Sequence, residues 1–196
     1  MTAETRPSPG LPDPGSPVIL MTGYAGTDLT SLLADGGRTA LKERFPVQML
    51  RRLDHIVGTC QGPQAAGIAA AAARNAGALI CMEIPDGGVL AGLWRISEMT
   101  GCGLNVRQSR IPILQETIEI AEFFDVDPYQ IRSGGAFLIA AGQESGTGIK
   151  ETLRRQGIPA ARIGNLTEDN DKVLIRPDGG VRYLDKPRGR HLRVIA

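Results

Sequence analysis

Apolar residues recur along this chain with two different periods, and the switches between them mark out its elements. The run VILM at 18–21 reads as a short buried strand. GYAGTDLT then leads into a helix, TSLLADGG, that stops at a glycine pair. A second helical period covers about Arg38 to Arg44 and ends at Pro46, and VQMLRRLDHIV carries a third as far as Gly58. In GPQAAGIAAAAARNAGALICMEIP, Pro63 opens an alanine-rich helix that runs through Asn75 and stops at Gly77, and ALICMEI follows as a strand. VLAGLWRISEMTG reads as a helix, GLNVR as a strand, ILQETIEIAEFFDV as a helix introduced by Pro112, and SGGAFLIAA as a central strand. SGTGIKETLRRQG is a surface helix, and ARIGNLT, KVLIR and GVRYL are closing strands separated by tight turns. Strands and helices do not alternate strictly, so the predicted fold class is α+β: one mixed β-sheet packed with α-helices, without internal repeats.

Residues 1–17 fall outside this pattern. They hold five prolines and few large apolar side chains, and are expected to form a flexible Pro/Gly-rich leader ahead of a single domain at 18–196. The 22 Lys and Arg nearly balance 21 Asp and Glu, for a net charge of +1, so no global field draws the protein to nucleic acid or to an anionic membrane. No apolar run is long enough to span a bilayer and no secretory signal opens the chain, which gives a cytoplasmic expectation. Cys60, Cys81 and Cys102 are odd in number and widely spaced, which argues against a disulfide framework; Cys60 falls in a predicted loop. His55 and His191 have no ligand set around them in sequence, so no metal site is expected. GQESGTGIK resembles a phosphate loop only superficially, because Lys150 is followed by Glu151 rather than by Ser or Thr. Glu116, Glu119 and Glu122 are spaced to line one solvated helix face.

Two strand-to-helix junctions carry candidate chemistry. In IPDGG, glycines at 87 and 88 precede a helix whose first amides are unpaired, so an anion could approach the main chain there; the alternative is that Asp86 caps the helix and the glycines make a tight turn. GYAGTDLT has the same chemistry, with small residues, the Thr27 hydroxyl and the Asp28 carboxylate. Two such junctions on one sheet could face one cleft.

The order of segments, with xxPDGGVLxGLxxxSExTGxGL, IPxxxExxEIxEFFxxDPYxIxSGGAFLIA, IPAARIGNLTE and DGGVRYLD, resembles the C-terminal domain of the aminoimidazole ribonucleotide (AIR) synthetase superfamily, in its hydrogenase-maturation-like branch. The resemblance implies that fold and an ATP-dependent reaction in which a carbonyl or amide oxygen is phosphorylated. It implies further that an N-terminal domain supplies the acids for magnesium and ATP, a pattern not seen before Val18. It implies ligand-binding roles for Gly87, Gly88, Gly26, Thr27, Thr30, Ser133 and Gly134. Glu83 stands for the family's loop acid, but Pro85 stands where threonine is common, and Leu29 replaces a glycine of the first loop. The chain ends HLRVIA rather than in the reactive cysteine of the hydrogenase maturation enzymes, so their cyanide chemistry is not expected.

Three functions follow as expectations. The first is one component of a split enzyme, with Mg·ATP supplied through a separately encoded ATP-binding subunit and no cofactor held by this chain itself. The second is a non-catalytic module that binds a phosphorylated metabolite or nucleotide. The third is an autonomous enzyme whose catalytic candidates are Glu83, Asp86 and Asp28. In each case a homo- or hetero-oligomer is expected, because surface covered in the family by the first domain needs another cover.

Overall fold

A computed structural model describes residues 15–29 and 37–187. The expected leader up to residue 14, Thr30 with most of the TSLLADGG helix, and the basic tail from residue 188 with His191 lie outside the described residues.

The strands are β1 (Val18–Thr22), β2 (Ile80–Ile84), β3 (Gly103–Arg107), β4 (Ser133–Ala141), β5 (Ala160–Thr167), β6 (Lys172–Ile175) and β7 (Val181–Tyr183). They form one sheet in the order β2-β4-β1-β5-β3-β6-β7, antiparallel throughout except for the β3–β6 pair. The helices are α1 (Gly37–Arg44), α2 (Val47–Gln61), α3 (Pro63–Asn75), α4 (Gly88–Thr100), α5 (Gln115–Phe123) and α6 (Gln143–Arg155). This is the mixed α+β architecture the apolar pattern predicts.

β1 has no polar face because both of its faces are covered. Ile19 and Met21 point to one side, where α4 packs with Val89, Leu93 and Ile96. Val18 and Leu20 point to the other, where α3 and α6 contribute Ala65, Ala69, Ala73, Ile149 and Leu153. A strand buried on both faces needs a continuous apolar run, and VILM supplies it. The alanines at 65, 69 and 73 recur at helical spacing, so α3 presents a smooth stripe and lies close to β4. A third cluster joins Leu29, Leu41, Leu53, Ile120, Ala121 and Ile131, and ties α1, α2 and α5 to the loops at one end of the sheet.

Three local expectations are corrected. α2 continues through Gly58 to Gln61, so Cys60 is helical rather than in a loop. Gly58 costs helix propensity but does not stop the helix; Gly62, extended at φ −61 and ψ 169 ahead of Pro63, does. Asp86 does not cap α4: the cap residue is Gly87, left-handed at φ 87, and no side chain bonds the first turn. Glu119 and Glu122 are exposed, but Glu116 is largely covered and pairs with Arg52 at 3.4 Å.

Candidate functional site

The site is built on an irregularity in β4. Its partner β2 pairs Glu83 with Phe137 and then Ile84 with Ser133, so Gly134, Gly135 and Ala136 stand opposite a single step of β2. Such a bulge withdraws backbone groups from the ladder and re-aims them. Two glycines make it possible here, for Gly135 is left-handed at φ 72.

The freed amides meet carboxylates instead of carbonyls. Gly134 N–H donates to Asp28 Oδ1 at 2.9 Å and Gly135 N–H to Glu83 Oε1 at 2.9 Å. Arg132 stands beside both acids, its Nε 3.8 Å from Asp28 Oδ2 and its Nη2 3.6 Å from Glu83 Oε1. The three groups converge: the place a side chain would occupy on Gly134 is 3.4 and 3.5 Å from the two Asp28 oxygens and 3.8 Å from Glu83 Oε1. Arg132 and Glu83 are about half exposed and Asp28 is more covered. The ion pairs are long and wet, and contribute little to stability.

The junction after β1 is fastened from beneath by Gln61, the last residue of α2. Gln61 is 4% exposed; its Oε1 accepts from Tyr24 N–H at 3.0 Å, and its Nε2 donates to Thr27 Oγ1 at 3.0 Å and to the Gly134 carbonyl at 3.3 Å. Gly26 N–H donates to Ser133 Oγ at 2.8 Å, and Asp28 N–H to the Arg132 carbonyl at 3.2 Å. These bonds stitch the first loop to the start of β4 and hold Asp28 over the bulge. Beside them burial pushes the Tyr24 phenol up, aided by the neighbouring Cys60, and pushes the Cys60 thiol up as well, so both stay protonated near neutral pH.

Of the residues singled out from sequence, Asp28, Glu83, Gly26, Thr27, Ser133 and Gly134 therefore meet in one place. Asp86, Gly87 and Gly88 form the start of α4. Asp86 and Gly87 are exposed, whereas Gly88 is buried: its amide donates to the Pro85 carbonyl at 2.9 Å, and a side chain on it would collide with the backbone of Tyr129, Gln130 and Ile131. Gly88 thus lets the segment leading into Arg132 lie against the helix start. Gln61 and Arg132 were not singled out from sequence. Nothing local marks a buried glutamine at a helix end; Arg132 does directly precede the Ser-Gly-Gly run.

Among the described residues no group of three or more His, Cys, Asp or Glu is disposed to hold a metal ion. Asp28 and Glu83 are already engaged by amides and an arginine, and the Gly88 amide by Pro85. These residues do not by themselves fit Mg·ATP.

Residues 14–176 match the model of the AIR synthase related protein, C-terminal domain. The chain belongs to that family. Carbamoyl dehydratase HypE of Rhodobacter capsulatus is similar to this AIR synthase-related domain at 23% identity, over 84% of the chain and 48% of the relative. The crystal structure of Escherichia coli HypE, a hydrogenase maturation protein, superposes with a TM-score of 0.68 at 21% identity, over 92% of this chain and 53% of that one. A HypE solved in complex with ATP superposes at 0.65 with 18% identity, over 96% and 54%. The chain spans about half the length of these relatives. No helix of the described residues is long and apolar enough to cross a membrane.

Proposed function

We propose that this domain is the cleft-forming component of an ATP-dependent, amide-activating enzyme of the hydrogenase-maturation-like kind, working in the cytoplasm with an ATP-binding subunit carried on a separate polypeptide. The observation that carries this reading is the convergence of Asp28, Glu83 and Arg132 on the two amides of the β4 bulge. Backbone amides and a guanidinium gathered at one strand end are suited to hold a polar or anionic substrate group, in exchange for their present carboxylate partners, while a second domain delivers the phosphoryl group. The ATP complex of a structural relative supports the nucleotide dependence of this reading. In this reading Arg132 and the Gly134 and Gly135 amides orient the substrate, and Asp28 and Glu83 set the charge around it.

The test is purification of the tagged chain from its native cells under mild conditions, mass spectrometry of what accompanies it, and Mg·ATP titration of the chain alone and of the assembly. Co-purification of an ATP-binding protein, with nucleotide binding and phosphate release by the assembly only, is expected. Turnover by the chain alone, or a monomer with no such companion, overturns the reading. One observation favours a non-catalytic binding module instead: both acids already rest on amides and an arginine, which leaves neither free as a base. Metabolite binding without turnover in the assembly would select that reading.

A further inference from the structure

Two successive backbone amides and a guanidinium lie together at the start of β4, and each amide holds its own carboxylate: Gly134 N–H donates to Asp28 and Gly135 N–H to Glu83, with Arg132 beside both. Asp28 is the fixed occupant: it is the more covered of the two, its main-chain N–H is bonded to the Arg132 carbonyl, and its loop is fastened by Gln61 and Ser133. Glu83 is the loose one. It comes from an edge strand, its bond to Gly135 is exposed, and its side chain is 45% exposed. Two like charges share one arginine there, which makes the second carboxylate the easier to remove.

We propose that the Gly135 amide and Arg132 form a phosphate-binding cradle latched by Glu83, and that a phosphate group enters by displacing the Glu83 carboxylate from both, while Asp28 keeps the Gly134 amide. The displaced side chain turns into solvent without disturbing the sheet, because Glu83 is outside the core. Affinity at this site is then set by competition with an internal anion, which keeps the cradle closed to weak ligands such as chloride. The inference rests on the functional reading above only for the choice of phosphate as the ligand. It needs no second subunit, so the two can fail separately.

The experiment is calorimetric titration of the full chain with inorganic phosphate at constant ionic strength, without magnesium, for the wild type and for Glu83→Ala, Glu83→Gln, Glu83→Ala/Arg132→Ala and the remote surface control Glu144→Ala. Removing a charged hydrogen-bonding competitor should tighten phosphate binding about tenfold in Glu83→Ala. Glu83→Gln, which keeps an acceptor for Gly135 but loses the charge, should fall between Glu83→Ala and the wild type. It also carries the test if the alanine variant does not fold. The double variant should lose the gain, and Glu144→Ala should match the wild type. A parallel titration with a non-hydrolysable ATP analogue separates the sources of the phosphate: equal affinities point to a phosphorylated metabolite, tighter analogue binding to a nucleotide, and either supports the cradle. Unchanged binding in both Glu83 variants, a gain that survives loss of Arg132, or a gain reproduced by Glu144→Ala overturns it.

Discussion

The backbone carbonyl of Gln61 occupies the space in which a side chain on Gly135 would stand. The end of α2 and the bulge of β4 are therefore in backbone contact, and the glycine is demanded twice, by that contact and by its left-handed φ of 72. Gly135→Ala should cost about 2–5 kcal/mol, from left-handed strain and overpacking together. Gly77→Ala, at φ 67 with open space around it, should cost only the backbone part, about 1–2 kcal/mol. Urea unfolding of the two variants checks the difference, and equal losses would mean that the contact with Gln61 yields freely.

Gln61→Ala removes the acceptor of the Tyr24 amide and the donor to the Gly134 carbonyl, and leaves a hole under the first loop. A loss of about 2–4 kcal/mol is expected from the stranded groups and the cavity. Amide exchange should show where it falls, with protection lost first at the Tyr24 amide rather than across the sheet.

The pH dependence of α6 has a definite sign. Glu151 accepts hydrogen bonds from Arg154 at 2.9 Å, and lies near Arg155 as well, which lowers its carboxyl from 4.5 to about 2. A carboxyl lowered in the folded state stabilises above its unfolded value and loses that contribution as the pH falls through the folded one. The stability gap between the wild type and Glu151→Gln should therefore be constant above about pH 5 and close between there and about pH 2. The group lies at the surface, so the gap is small and is best read in low salt. A gap that widens on acidification contradicts the assignment.

Lys172 Nζ lies 4.7 Å from the centre of the Trp94 ring and 3.3 Å from Glu98 Oε1, binding β6 to α4. Lys172→Met should lose about 0.5–1 kcal/mol of cation–π attraction. Trp94 is the single tryptophan, so its emission reports on the change directly. An unaltered spectrum would mean that the ammonium does not rest on the ring in solution.

Much of the fold is legible in the sequence, because it rests on short-range signals. VILM has to be a strand buried on both faces, the alanines at 65, 69 and 73 have to face a closely packed sheet, and Pro63 has to open a helix. The site is legible only in its parts. Asp28, Glu83, Ser133 and Gly134 could each be named, but their meeting depends on which strands are neighbours, and Asp28 and Gly134 are 106 residues apart. The bulge that brings them together is a mismatch of register between β2 and β4, which neither segment carries alone. Gln61 is hidden for a related reason: its polar atoms are satisfied by loops far away in sequence, while the local pattern shows only the end of an amphipathic helix. Asp86 misleads in the opposite direction. Its position is that of a cap, but glycine at 87 takes the left-handed geometry and leaves the carboxylate in solvent.

The placement of β1 has a consequence for biosynthesis. β1 lies between β4 and β5, so Val18 finds its partners only at Ala141 and Asn165, more than a hundred residues further along the chain. Until those residues are translated, its unbroken apolar run has no sheet to join. The nascent chain therefore carries a sticky, strand-forming segment until β4 and β5 are made, and closure of the sheet waits for loops of more than a hundred residues. Pairing of this kind is non-local, so closing the sheet is slow beside the rapid formation of the helices.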